Sequence, residues 1–509
     1  MTTTPIEVAP ASMPRVGTID ERFQSYNVEM VEVTGGEFWR PYAEDATSPD
    51  GAAPPPSAGS PRAGPGDPRG LFAPRPPIDL SHPRLRRLAA ALGPAYVRVS
   101  GTWANTTWFA DREPAPDTPP ASFAGVLTWR RWRGVVEFAR EVDAAIVTSF
   151  ASCAGARDPA GVWAPAQARR LVEFTRSVGG GIAAAELLNE PNLAELGGAP
   201  AGYDAAAYGR DFRAFVAFAR QAAPELRILG PGSVGETDGA WGPPQEGTGF
   251  LRTRDLLAAA GQGVDAFSYH HYGAISRRGA ALGLLQTTPE EALSEAWLAR
   301  TDETLSFYRR LRDELEPGAP LWLTETADAA CGGNPWASTF LDTFRYLDQL
   351  GRLARQGVQV VAHNTLAASD YGLLDERTFA PRPSYWGALL WRRLMGPAVL
   401  EPGLPLPRGL HVHAHALRGT PGGVALLVLN LDPETARSMV LPVAGERYTL
   451  SAPTLRGREV RLNGAALRLG ADGALPALQG VSVGPGVVTF APASITFLAL
   501  PRAGNASAR

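Results

Sequence analysis

Between Gln24 and His363 eight short β-rich runs recur, and stripes of apolar residues at helical spacing separate them. The runs are Gln24 to Met30, Ala95 to Ser100, Ala144 to Phe150, Ala183 to Asn192, Leu226 to Gly230, Val264 to Tyr272, Leu321 to Thr326 and Val358 to His363. Stripes such as Leu85, Leu88, Ala89 and Leu92, or Phe212, Phe215, Val216 and Phe218, repeat every three or four residues, the helical period. Strand and helix patterns in strict alternation predict parallel strands joined by crossover helices, and eight of them predict a (β/α)8 TIM barrel.

The 509 residues exceed what such a barrel needs, roughly 250 to 400 residues, so an additional domain is expected. After Trp391 the helical period stops. Short alternating runs such as Val424 to Leu429 and Val487 to Leu500, punctuated by Gly and Pro, predict a C-terminal β-sandwich of about 110 residues. The expected division is an N-terminal segment 1–20 pairing with that sandwich, a catalytic barrel over 21–391, and the sandwich over 392–509. A tract dense in Pro, Gly and Ala, 44–77, follows the first strand and is expected as a coil or mobile loop on the active-site face.

A net charge of -3 gives no global field favouring nucleic acid. All 48 basic residues are arginine, a compositional bias that says little about function. No run of about 18 apolar residues and no basic-then-apolar leader occurs, so a soluble chain is expected, cytoplasmic or the mature form of an exported one. Cys153 and Cys331 follow the third and seventh strands, on opposite sides of the predicted barrel, which argues against a bridge between them.

Two runs end in a carboxylate, Glu190 on the fourth strand and Glu325 on the seventh. Strand ends of a barrel carry its chemistry, and a pair of carboxyl groups is the minimum equipment of a glycoside hydrolase. Glu190 is read as general acid and base, Glu325 as nucleophile, and Asn189 as a donor to a sugar hydroxyl. Tyr272 ends the sixth strand, placed to hydrogen-bond the neighbouring Glu325. Glu186 falls inside its strand and is read as a barrel-interior partner for an arginine, with Arg98 the candidate.

The runs Glu186 to Asn192, His270-His271-Tyr272, Thr324-Glu325-Thr326 followed by Gly332-Gly333, and Ser369 to Leu373 resemble glycoside hydrolase family 79, the heparanase and β-glucuronidase family. The likeness runs from about Gln24 to Pro501 and takes in Arg98 to Thr102 and Arg461 to Gly464. It implies a retaining β-glucuronidase acting on a glucuronide-containing glycan or oligosaccharide without metal or cofactor. By position Glu190 and Glu325 match the family's acid/base and nucleophile, and Tyr272 the tyrosine touching the nucleophile. Gly332, Gly333 and Tyr371 match its uronate-binding groups, and Glu29 an acidic residue contacting sugar hydroxyls, with Thr102 as neighbour. His270, from the shared triplet, is taken as a substrate contact. One more residue separates Glu325 from the glycine pair than in the mammalian heparanases. His363 and Asn364 stand where those have glutamine and an apolar residue, and His363 is read as a substrate contact.

Other features have two readings. Arg277 and Arg278 either line the cleft for an acidic glycan or form a solvated face, and Glu236 would oppose a sulfated chain. Trp103 and Trp108 either stack on sugar or pack in the core. His411, His413 and His415 share one strand face, a weak metal pattern without a cysteine or carboxylate. The functional alternatives are a barrel glycosidase for another β-linked sugar and a carbohydrate-binding relative without catalysis. Oligomeric state has no signature in the sequence.

Overall fold

The computed structural model describes residues 5–42, 70–112, 114, 116, 118–239, 250–282 and 285–508. Eight parallel strands close into a barrel: β1 (Gln24–Asn27), β2 (Ala95–Val99), β3 (Ala144–Ser149), β4 (Ile182–Glu186), β5 (Arg227–Ser233), β6 (Ala266–Tyr272), β7 (Leu321–Ala327) and β8 (Val360–His363). Each strand is hydrogen-bonded to its sequence neighbours, and β8 closes onto β1. Helices Trp129–Glu141, Ala166–Ser177, Ala205–Ala222, Thr253–Ala260, Glu295–Leu315 and Phe340–Arg355 are among the crossovers. Polar side chains start several of them; Asp204 accepts from Ala207 N–H and Ser294 from Trp297 N–H.

Side chains alternate along each strand, which sorts the barrel into layers. Tyr96, Val147, Ala184, Leu229, Ala266, Trp322 and Val360 point inward and form an apolar floor. Their neighbours Val97, Ala185, Ile228, Phe267, Leu323 and Val361 point out and pack against the helices. Two positions above the floor, the inward residues of β2 and β4 are Arg98 and Glu186, so the barrel interior turns polar toward its C-terminal mouth.

β7 breaks the alternation. Its register to β6 slips between the pairs Tyr269↔Leu323 and His270↔Glu325. This bulge lets Thr324 and Glu325 both face the interior: Thr324 Oγ1 donates to Glu186 at 2.8 Å, and Glu325 meets Arg98. The fourth strand ends at Glu186, earlier than the sequence reading placed it, so Glu190 lies on the following turn.

The C-terminal residues form antiparallel strands. Leu410–Leu417, Val424–Asn430, Ser494–Leu500 and Gly445–Ser451 are neighbours in a nine-stranded sheet, and the N-terminal strand Arg15–Thr18 extends its edge beside Met395–Leu400. A second sheet combines Ile6–Glu7, Arg437–Leu441 and Gly486–Phe490. Leu426, Val428 and Leu498 face Met439, Val488 and Phe490 across one core, whereas Ala425, Leu427, Leu429 and Phe497 pack on the barrel side. Val424–Asn430 is buried on both faces, which explains its unbroken apolar run.

The proline-rich tract is not coil throughout. Phe72–Arg75 is a strand paired with Gly36–Trp39, and 44–69 lies outside the described residues. Cys153 and Cys331 are free thiols.

Candidate active site

Arg98 is the centre of the barrel mouth. Buried to 1% exposure, it donates from Nη2 to Glu186 and to Asn189 Oδ1, each at 2.8 Å, and from Nη1 to Glu325 Oε2 at 2.8 Å. A buried guanidinium survives because it is paired, and each ion pair here depends on the other. Burial works against the Glu186 carboxyl, but Arg98 overrides it and holds the group below the usual range.

Glu325 accepts at both oxygens, from Arg98 and from the Tyr272 hydroxyl at 2.7 Å. Donors at both oxygens fix the orientation of the carboxyl group. Asn364 Nδ2 reaches the hydroxyls of Tyr272 at 3.0 Å and Tyr371 at 3.2 Å, and Glu29 Oε1 at 3.1 Å, tying four side chains together. Glu29 is pushed well above the usual carboxyl range, by burial first and then by the Glu325 charge. Among the described residues its Oε2 has no hydrogen-bond partner.

Glu190 occupies the left-handed region, φ 50° and ψ 63°, just before Pro191. This conformation costs a non-glycine residue about 1–3 kcal/mol and turns the side chain back toward the mouth. Asn105 accepts from Asn189 N–H at 2.8 Å and donates to its carbonyl at 3.0 Å, which braces the turn. The Glu190 carboxyl is raised to about 7, by burial and by the Glu186 charge, against the pull of Arg98.

His270 sits between the two glutamates, Nδ1 lying 3.1 Å from Glu190 Oε1 and 3.8 Å from Glu325 Oε2. Its Nε2 is 3.2 Å from Arg98 Nη2, which can only donate. Nε2 is therefore the acceptor, and the ring proton is on Nδ1, directed at Glu190. Burial lowers the imidazole to about 4, so it is neutral in ordinary buffers. Carboxylate oxygens of Glu190 and Glu325 and a His270 nitrogen lie within 4.8 Å of one another. By donor type this trio suits a metal ion, but Arg98 already supplies a positive charge at the same point.

Cys331, Gly332 and Gly333 all have positive φ, 64°, 83° and 79°. Besides the backbone, contact requires the glycines: a Cβ on Gly332 would fall 2.7 Å from Trp39 Cβ, and one on Gly333 3.0 Å from Tyr371 Cδ1. Gly333 thus abuts the Tyr371 ring, whose hydroxyl joins the Asn364 network. Thr102 is exposed at the start of the turn Thr102–Thr106.

Several readings change. His363 points to the helix layer, as its parity with Val361 requires; its ring packs on Tyr346 and its Nε2 bonds the Tyr371 carbonyl at 2.8 Å. It braces Tyr371 from behind and does not line the mouth. Arg278 is not a solvated face, since its side chain is 6% exposed. Glu236 is buried and turned onto Thr253, whose N–H lies 3.1 Å away, so it does not oppose an incoming chain. Trp103 packs edge-on against Phe38, Trp39 and Phe72. Trp108 lies on the strand Thr107–Ala110 and is half-buried. His411 and His413 do have a carboxylate, Asp348 Oδ1 at 2.9 Å from each, but His415 turns to the Gly396 carbonyl. Arg98 as partner of Glu325, and Asn105 beneath Asn189, were missed. Both contacts cross the barrel between distant strands or loops and leave no local pattern.

The family model described as "Glycosyl hydrolase family 79, N-terminal domain" matches residues 78–351. Mouse (Mus musculus) heparanase is 30% identical over 459 residues, covering 78% of this chain and 82% of the mouse protein. The chain belongs to glycosyl hydrolase family 79. Within the family, the baicalin-β-D-glucuronidase of Scutellaria baicalensis is 33% identical over 227 residues, 42% of this chain and 43% of that one. A solved 4-O-α-L-rhamnosyl-β-D-glucuronidase from Fusarium oxysporum 12S superposes with a TM-score of 0.64. It covers 98% of this chain and 100% of its own at 13% identity, a likeness of fold. The family 79 chain is a glycoside hydrolase of the heparanase and β-glucuronidase type.

Proposed function

We propose that the enzyme hydrolyses β-D-glucuronides with retention, through a covalent glycosyl-enzyme on Glu325. The observation that carries this is the carboxyl spacing. One oxygen of Glu190 and one of Glu325 lie within 4.8 Å of each other, in keeping with the closely spaced carboxyl pair of retaining enzymes, roughly 5 to 5.5 Å apart.

Glu325 attacks the anomeric carbon while Glu190 protonates the departing oxygen, after which Glu190 takes a proton from water as the ester to Glu325 is cleaved. Burial keeps the proton on Glu190, and Arg98 with Tyr272 keeps Glu325 aimed. With Oδ1 engaged by Arg98, the Asn189 side-chain NH2 is the end that donates to a sugar hydroxyl. Glu29, with its unpaired Oε2, and Thr102 take further hydroxyls. The Gly332 and Gly333 amides and the Tyr371 hydroxyl take the uronate carboxylate. Two amides and a phenol bind an anion without needing a cation in contact.

A panel of aryl β-glucuronide, β-glucoside and β-xyloside tests the assignment. Turnover favouring the glucuronide is expected; no turnover of the glucuronide, with hydrolysis of another sugar, overturns it.

A further inference from the structure

We propose that Arg278 is the positioning residue that makes the Gly332–Gly333 loop a carboxylate-binding site, acting through the loop carbonyls and not by touching the sugar. The proposal rests on the uronate reading above and assigns what gives that site its shape.

Cys331, Gly332 and Gly333 are three consecutive residues with positive φ in one turn, a backbone conformation that favours glycine. Such a turn has little intrinsic stability, because Cys331 and both flanking peptide groups must be held from outside. Arg278 holds them. Its Nη1 donates to the carbonyls of Cys331 at 3.1 Å and Gly333 at 2.8 Å, its Nε to the Arg40 carbonyl at 2.8 Å, and its Nη2 to Asp370 Oδ2. The Gly332 carbonyl, between those two, accepts from Asp370 N–H at 3.1 Å. All three carbonyls of the turn therefore have donors: the Arg278 side chain holds those of Cys331 and Gly333, Ser276 Oγ joins it on Cys331 at 2.8 Å, and the Asp370 backbone N–H holds that of Gly332. Tyr42 covers the guanidinium, its ring centroid 3.9 Å away.

In a trans peptide the C=O and N–H point opposite ways. Fixing the carbonyls of Cys331 and Gly332 toward Arg278 and Asp370 therefore turns the N–H groups of Gly332 and Gly333 to the other side. Among the described residues neither of these two N–H groups has an acceptor. The next amide is already spent, since Asn334 N–H donates to Asp328 Oδ2 at 3.0 Å. One arginine thus ties the hairpin residue Arg40, the loop after β7 and the loop that carries Tyr371. Four of its five N–H groups are committed to protein acceptors, which suits it for holding the loop and leaves little to offer a ligand.

The test compares Arg278→Gln, Arg278→Lys and Asp370→Asn with the parent enzyme on an aryl β-glucuronide and an aryl β-xyloside, the same ring without the carboxylate. For Arg278→Gln, KM for the glucuronide should rise about 30-fold or more while kcat falls far less, and the loss in kcat/KM for the xyloside should be at least about tenfold smaller. Arg278→Lys should behave like the glutamine variant, because one ammonium cannot span the loop carbonyls. Added guanidinium should lower the raised KM of an Arg278→Ala variant. Parallel losses on both substrates, or a lysine variant with parent-like KM, would overturn the proposal. If Arg278→Gln does not fold, Asp370→Asn reads the same quantity, with a smaller but still glucuronide-selective rise expected and a non-selective one refuting. A parent enzyme with no preference for glucuronide over xyloside would refute the uronate reading itself, an outcome separate from either.

Discussion

In the proposed mechanism bond cleavage needs a proton on Glu190, whose carboxyl is raised to about 7 because it is buried and lies near the Glu186 charge. A raised value means the protonated, acid-competent form dominates below pH 7 and is lost above it. With a midpoint of 7, roughly 90% of the enzyme is competent at pH 6 and roughly 10% at pH 8, so kcat/KM should fall about tenfold across that interval. His270 titrates at about 4 and is neutral throughout, so it contributes nothing to this limb. Asp328, below the glycine pair, is also pushed up to about 7 by burial, so a variant is needed to assign the limb. The assay is kcat/KM for phenyl β-glucuronide from pH 5.5 to 8.5, and for dinitrophenyl β-glucuronide in Glu190→Gln. The wild-type limb should disappear in the variant, whose dinitrophenyl leaving group needs no proton. A profile that is flat or rising between pH 6 and 8, or a Glu190→Gln enzyme with full activity on the phenyl substrate, refutes the reasoning.

Tyr272→Phe removes one of two donors to Glu325, a charge-assisted hydrogen bond worth about 1.5–3 kcal/mol, and should lower kcat roughly 10- to 150-fold without altering the melting temperature greatly; an unchanged kcat would remove Tyr272 from the mechanism. His411 lies 2.9 Å from both Asp348 and Glu295, and it can donate to both only as imidazolium. Although burial opposes the charge, Asp348 wins and the imidazole is raised. Its extra stability is full below the unfolded value near 6.5 and lost as pH rises through the folded one. Thermal melts of His411→Gln should therefore show a loss of about 1–3 kcal/mol at pH 6 that shrinks by pH 9; a loss that grows with pH would mean the imidazole is neutral in the fold.

The barrel was legible because its signal is repeated eight times, and a parallel strand buried on both faces cannot hide its apolar run. The Tyr272–Glu325 contact was legible for a simpler reason, since adjacent strands put adjacent ends together. What lay beyond the sequence is register. The bulge in β7 that turns both Thr324 and Glu325 inward has no local marker, and neither does the end of β4 four residues before Glu190. His363 was misread for want of its parity, which only the inward Val360 reveals. Arg278 looked like surface because arginine usually is; three loops meet around it, and no spacing along the chain records that meeting.

The central claim, nucleophilic attack by Glu325, is tested most directly by peptide mapping after reaction with a 2-deoxy-2-fluoro-β-glucuronyl fluoride. We expect one stoichiometric glycosyl adduct, on Glu325, that forms more slowly in Tyr272→Phe. An adduct on Glu190, or steady turnover of this reagent with no adduct formed and an inverted product, would contradict it.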